Sequence, residues 1–146
     1  MKKTIILLIE DNPDDIKLTQ RAFNKSSISE KISLEVVNNG DDALNLLFGE
    51  GAYIYRNTKD MPALILLDLN LPRINGFQLL QRIRNDERTK LIPIIILTSS
   101  KEEQDIKKAY TLGANSYIRR PVDFKKFNYA TQQLGLYWIG LNESPV

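Results

Sequence analysis

The chain has no cysteine and no histidine. Without cysteine there are no disulfides and no thiolate metal sites. Without histidine the commonest general base and zinc ligand are missing. Long apolar runs are absent as well: none approaches the roughly 18 residues that a membrane span needs. The opening Met1-Lys2-Lys3-Thr4 leads straight into a short strand-like run, without the apolar core and small-residue cleavage site of a secretion signal. An excess of one charge is also missing. A net charge of +2 argues against bulk nucleic-acid binding, which uses a strongly basic face. A cytoplasmic protein with neither a nucleic-acid nor a membrane partner is expected. What is present is ordinary for a soluble domain. The 146 residues, 42% hydrophobic and 26% charged, suit a single domain with a real core.

Five apolar, β-branched-rich runs punctuate the chain: residues 5–9, 32–37, 63–67, 93–98 and 116–118. The first, third and fourth are continuously apolar, as parallel strands covered on both faces are. The second alternates and suits an edge. Helical periodicity fills the intervals. Asn12 can cap a first helix with Pro13 at its first position. Leu79, Leu80 and Ile83 share one face of a helix from Gly76 to Asp86. Ser100 and Glu103 have capping-box spacing and open a helix with Ile106, Ala109 and Tyr110 inward and Gly113 at its end. Asp123 can cap a last helix carrying Phe124, Phe127, Ala130, Leu134 and Trp138. Strict alternation predicts one doubly wound α/β domain with right-handed crossovers.

Two of the apolar runs stop on acids. Glu10-Asp11 follows the first and Asp68 follows the third. In open α/β sheets ligands bind beyond the carboxyl ends of the strands. If these two strands are neighbours, Glu10, Asp11 and Asp68 converge. Three carboxylates repel one another, so at least one pKa should rise. Hard oxygen donors with room for water suit Mg²⁺. A plain helix-capping role for Asp11 or Asn12 is the alternative. Other strand ends supply matching parts: Thr98 brings a hydroxyl and Arg119-Arg120-Pro121 brings positive charge. An acid, a cation site, a hydroxyl donor and a fixed positive group are what a phosphorylated aspartate needs around it.

With these residues in view, the sequence resembles the receiver domain of two-component response regulators along nearly its whole length. It is similar in particular to single-domain regulators that partner phytochrome histidine kinases. The stretches that carry this likeness are LLDLNLP at 66–72, LGANSYI at 112–118, PVDF at 121–124, the insertion before the third strand, and the tail with Tyr137-Trp138, Leu141-Asn142 and Pro145. The resemblance implies a flavodoxin-like sheet of order 2-1-3-4-5 with helices on both faces, and one receiver domain over 1–146 with an extended tail from about 136. It implies that Asp68 accepts a phosphoryl group from a sensor histidine kinase, phytochrome-type. Asp11 and Asp68 would hold Mg²⁺ through side chains, Asn70 through its backbone carbonyl, and Glu10 through water. Thr98 would hydrogen-bond the phosphoryl group and Tyr117 would turn as a switch, although an aromatic in a half-buried strand is also ordinary packing. The bond before Pro121 would be cis, aiming residue 120 into the site.

One residue departs from the pattern. Receivers usually carry lysine at position 120, and here it is arginine. A planar fork is not equivalent to a point charge, and Arg120 could grip Asp68 before any phosphoryl group arrives. A phosphorylation-independent adaptor with Asp68 locked by Arg120 is therefore a competing expectation. A Mg²⁺-dependent aspartyl-phosphate phosphatase is a third. Phosphatases of the haloacid-dehalogenase group need an aspartate as general acid where this chain has Asn70, so an enzyme is not expected.

Three further features stand apart from the site. Residues 49–62 are long for a connection; they are either a tolerated surface insertion or a contact loop offering Tyr53, Ile54 and Tyr55. The LYWIGL tail at 136–141 is more apolar than an exposed helix end should be; it covers either its own sheet or a second subunit, and a homodimer through the C-terminal helix is the expectation. Lys107-Lys108, Arg119-Arg120 and Lys125-Lys126 are read as a solvated basic face in preference to a docking patch for an acidic partner.

Overall fold

The structure is a computed structural model that describes residues 3–57, 60–120 and 123–145. Strands β1 (Thr4–Ile9), β2 (Ile32–Val37), β3 (Leu64–Leu67), β4 (Ile94–Thr98) and β5 (Ser116–Arg119) alternate with helices α1 (Pro13–Asn24), α2 (Gly40–Phe48), α3 (Gly76–Arg84), α4 (Glu103–Thr111) and α5 (Phe124–Gly135). All strand pairs are parallel and the order is β2-β1-β3-β4-β5. The order reverses at β1, so β1 and β3 are neighbours although β2 lies between them in sequence. That adjacency creates the crevice in which doubly wound folds bind ligands.

The central strands are buried on both faces, and successive side chains sort to opposite sides. Leu7, Ile9, Ile65, Leu67, Ile94 and Ile96 pack on one side with Leu47, Leu79, Leu80, Ile83 and Ala109 from α2, α3 and α4. Ile6, Leu8, Leu64, Leu66, Ile95 and Leu97 pack on the other with Ala22 and Phe23 of α1 and Phe127 and Leu134 of α5. β2 has only its end residues buried, as expected of an edge.

Local chemistry sets the helix starts. The Asn12 side chain accepts from the N–H groups of Asp14 and Asp15, with Pro13 next in line. Asn75 and Gln78 form a full capping box at α3, which the sequence reading did not single out. Asp123 caps α5 by accepting from Lys125 N–H. The expectation at α4 needs correction. Glu102, not Ser100, precedes the first turn, and no side chain caps it. The Ser100 hydroxyl instead donates to Asp105 at 2.7 Å, so it is consumed by a local pair. Tyr110 also points outward, 49% exposed, because Ala109 is the residue of that turn that meets the core.

The insertion is more tethered than a free loop. Gly49, in the left-handed region at φ 65°, ends α2. A short 3₁₀ turn, Gly51–Tyr53, follows, and Tyr53 packs against the core. Arg56 pairs with Glu35 of β2 at 3.0 Å and donates to the Asp60 carbonyl at 3.1 Å. Ile54 and Tyr55 remain exposed. At the other end α5 runs on into a π-helical segment, Leu136–Leu141. Its Trp138 and Ile139 pack inward, whereas Leu136, Tyr137 and Leu141 are exposed. Among the described residues no helix is long and apolar enough to cross a membrane.

Candidate functional site

The acids meet because two adjacent strands stop at the same level. Ile9 of β1 pairs in register with Leu67 of β3, so Glu10 and Asp68 are the next residue on each strand. Backbone bonds hold both: Asp68 N–H donates to the Ile9 carbonyl and Glu10 N–H to the Val37 carbonyl, each at 3.1 Å. Glu10, Asp11 and Asp68 each offer a carboxylate oxygen, and these lie within 4.8 Å of one another. Glu10 and Asp68 are buried and Asp11 is exposed, which leaves the cluster one open side. The cleft there, about 570 Å³, is lined by Asp11, Asn70, Asn75, Phe77 and Asp105 among others. Asn70 is exposed between the buried Leu69 and Leu71.

Burial and then the charge of Asp68 push the Glu10 carboxyl up to about 7, while Arg120 and the Asn12 N–H pull the other way. Burial is the larger cause, and of the neighbouring acids Asp68 adds the repulsion. The rise also speaks to whether a divalent cation fits: the donors are hard, close together, open on one side, and incompletely neutralised by the protein itself.

Thr98 ends β4 fully buried, and its hydroxyl has no hydrogen-bond partner among the described residues. Tyr117, on β5, is half-buried and donates to the Ser100 carbonyl at 2.9 Å. Burial raises its pKa, and the charges of Asp105 and Asp68 add to the rise. Ser100 thus takes part in three bonds: its carbonyl accepts from Tyr117, and its hydroxyl donates to Asp105 and accepts from the Glu102 N–H at 3.4 Å.

Arg120 lies where the sequence put it but grips other partners than expected. Among the described contacts it does not bond Asp68. One terminal nitrogen donates to Glu10 and to the Leu97 carbonyl (3.2 Å to the latter), and the other donates to Asp15 at 3.1 Å. The fork finds two carboxylates at once, Glu10 after β1 and Asp15 in α1. Arg120 is therefore part of the site rather than of a solvated basic face. The cis bond expected before Pro121 lies outside the described residues.

Residues 6–132 match the response regulator receiver domain. The chain belongs to the response regulator receiver domain family. Its similarity extends beyond the family pattern. It is 35% identical to the probable methanogenesis regulatory protein FilR2 of Methanothrix harundinacea, over 97% of this chain and 87% of that one. It is 33% identical to the response regulator Rcp1 of Synechocystis, over 92% and 88%. Rcp1 in its Mn²⁺-bound form superposes with a TM-score of 0.88 over 98% of this chain and 99% of that one, at 31% identity. The phosphorylated cyanobacterial phytochrome response regulator RcpA gives 0.90, at 32% identity over 99% and 100%. This receiver is thus related to phytochrome response regulators, and its family is generally one of non-enzymatic signalling domains. A relative that holds a divalent metal agrees with the acidic cluster described above.

Asp15 was not among the site residues expected from the sequence. Asp15 sits in an acidic first helical turn, which reads as ordinary dipole compensation. Its link to Arg120 spans 105 positions and leaves no local trace.

Proposed function

We propose that this receiver accepts a phosphoryl group on Asp68 from a sensor histidine kinase of the phytochrome type. In that transfer the phosphorus–nitrogen bond of the kinase phosphohistidine breaks, a bond forms from phosphorus to an Asp68 carboxylate oxygen, and the imidazole takes up a proton. The observation that carries this reading is the cluster of Glu10, Asp11 and Asp68 with their oxygens within 4.8 Å, at the switch point of the sheet.

Glu10, Asp11, Asp68 and the backbone carbonyl of Asn70 would hold Mg²⁺. The ion, when bound, supplies the charge that lets an anionic phosphoryl group approach an anionic cluster. The remaining roles belong to the protein. The fixed β1–β3 register presents Asp68 at the crevice, and burial of Asp68 keeps competing water from its carboxylate. The unpartnered Thr98 hydroxyl is free to donate to a phosphoryl oxygen, and such a bond to a charged acceptor is strong. Arg120 supplies the second positive donor. Tyr117 is already turned toward the Ser100 carbonyl, so the turn that Thr98 borders is the one Tyr117 restrains. Output then passes through protein contacts. A cytoplasmic setting is part of this reading. Self-association through the last helix belongs to the same reading and is supported by the exposed Leu136, Tyr137 and Leu141; sedimentation of wild type against Tyr137→Lys tests it, with a dimer lost in the variant expected.

The deciding experiment is incubation with Mg²⁺ and acetyl phosphate followed by intact-mass measurement. One phosphoryl adduct is expected, absent in Asp68→Asn and absent without divalent metal. A wild type that gains no mass under these conditions, nor from a phosphorylated kinase, would leave the adaptor in its place.

A further inference from the structure

Arg120 is held by two carboxylates from one side of the sheet. Its side chain is 11% exposed, and its partners Glu10 and Asp15 are 1% and 25% exposed. The backbone at residue 120 is pinned by its N–H bond to the Thr98 carbonyl at 2.6 Å, so the guanidinium's station is chosen by the side chain alone. The Asp15 main chain is pinned as well. Its N–H donates to the Asn12 cap at 3.2 Å and its carbonyl accepts from the Thr19 hydroxyl at 2.8 Å. Two carboxylates thus flank one planar fork. A guanidinium can bond both at once through different nitrogens, whereas an ammonium on a shorter reach meets one as a point charge. Nothing in the phosphoacceptor reading uses Asp15.

We propose that Asp15 is a positioning residue for Arg120, holding the second arm of the guanidinium so that Glu10 can be surrendered to a divalent cation. The inference rests on the phosphoacceptor reading and adds a residue to it. A cation entering among Glu10, Asp11 and Asp68 competes with Arg120 for Glu10 and repels its charge. With Asp15 present, the displaced arm leaves a guanidinium that is still paired and still at the site. Without Asp15, the guanidinium has only Glu10 and the Leu97 carbonyl, and giving up Glu10 strands a mostly buried positive charge. Asp15 therefore eases metal entry through Arg120, and only because residue 120 is an arginine.

The test is a double-mutant cycle on the full chain, read as the dissociation constant of Mg²⁺ by calorimetry, with Mn²⁺ by electron paramagnetic resonance as a second measurement. In the wild-type background Asp15→Asn is expected to weaken metal binding on the order of tenfold, the worth of one hydrogen bond to a charged group. In an Arg120→Lys background the same substitution is expected to change it by about twofold or less, the residue of a screened charge effect. Arg120→Met replaces the lysine variant if that one folds poorly. In the metal-free protein Asp15→Asn is also expected to lower the melting temperature more with arginine at 120 than with lysine. Equal effects of Asp15→Asn in both backgrounds, or none in either, overturn the inference while a wild type that binds Mg²⁺ and takes up phosphoryl leaves the phosphoacceptor reading standing. A wild type that binds neither metal removes both.

Discussion

Gly76 and Asp68 meet backbone to backbone: a Cβ built on Gly76 would lie 2.5 Å from the Asp68 carbonyl oxygen and 2.6 Å from the Leu69 Cα. The Gly76 N–H also donates to the Leu69 carbonyl at 3.0 Å. The first turn of α3 is thus seated directly on the segment that carries Asp68. No side chain can yield here, because both obstructing atoms belong to the main chain. Gly76→Ala should therefore cost about 1 to 3 kcal/mol of stability, the usual penalty for forcing a methyl into packed structure. It should also slow phosphoryl uptake by shifting Asp68. Urea titration and intact-mass kinetics measure the two effects.

Thr98 carries the opposite expectation. A buried hydroxyl without a partner among the described residues is a destabilising group in the resting protein. Thr98→Val, nearly the same shape, should hold stability level or raise it by about 1 kcal/mol. The same variant should lose any conformational response to phosphorylation. Chemical denaturation checks the first part, and a clear loss of stability would mean that the hydroxyl is bonded at rest.

Glu10 should make the metal-free protein pH-sensitive. Its carboxyl titrates near 7 in the folded state against 4.5 for the unperturbed group. A group raised in this way binds more protons folded than unfolded between those values, so its contribution to stability is present in full below about 4.5 and is lost as pH rises through 7. The loss is on the order of 1 to 3 kcal/mol. Glu10→Gln should flatten the profile between pH 5 and pH 8, and Mg²⁺ at pH 8 should restore stability to the wild type but not to the variant. Urea midpoints across that range measure the difference. A wild type and variant with parallel profiles would show that Glu10 is not strained.

Arg84 is a strut remote from the acids. It donates to the carbonyls of Gly113 (2.8 Å), Lys90 (2.9 Å) and Ile92 (2.8 Å) and to the Asn115 side chain (2.8 Å). Asn115 in turn exchanges bonds with the backbone of Ile94. This one guanidinium ties α3 to the entry of β4 and to the turn before β5. Arg84→Ala should cost about 2 to 4 kcal/mol, since it leaves several carbonyls unpaired. Arg84→Lys should recover less than half, because a point donor cannot serve four acceptors. Faster hydrogen exchange at Ile94 and Asn115 would accompany the loss.

Much of the architecture was legible before any coordinates. Continuous apolar runs such as residues 5–9 and 63–67 suit strands covered on both faces, and the acids that end them announce where the sheet's working edge lies. Helix caps at Asn12 and Asp123 were equally plain, since a cap is a bond between near neighbours. The capping box expected from Ser100 failed because a serine hydroxyl has several acceptors within reach, and Asp105 took it. Tyr110 failed because helical periodicity alone does not say which of two adjacent apolar residues meets the core.

The sequence by itself determined the α/β class, the family resemblance and the set of groups at the strand ends, all of which depend on residue type and short-range spacing. Only the tertiary structure decided which carboxylates Arg120 holds. Glu10, Asp15, Asp68 and Arg120 are all chemically fit to pair, and composition cannot rank them. The β2-β1-β3-β4-β5 order and the seat of α1 bring Asp15 across 105 positions to the guanidinium. Coulomb attraction in a poorly screened pocket falls off with distance, so the fold, by setting those distances, chose the partners.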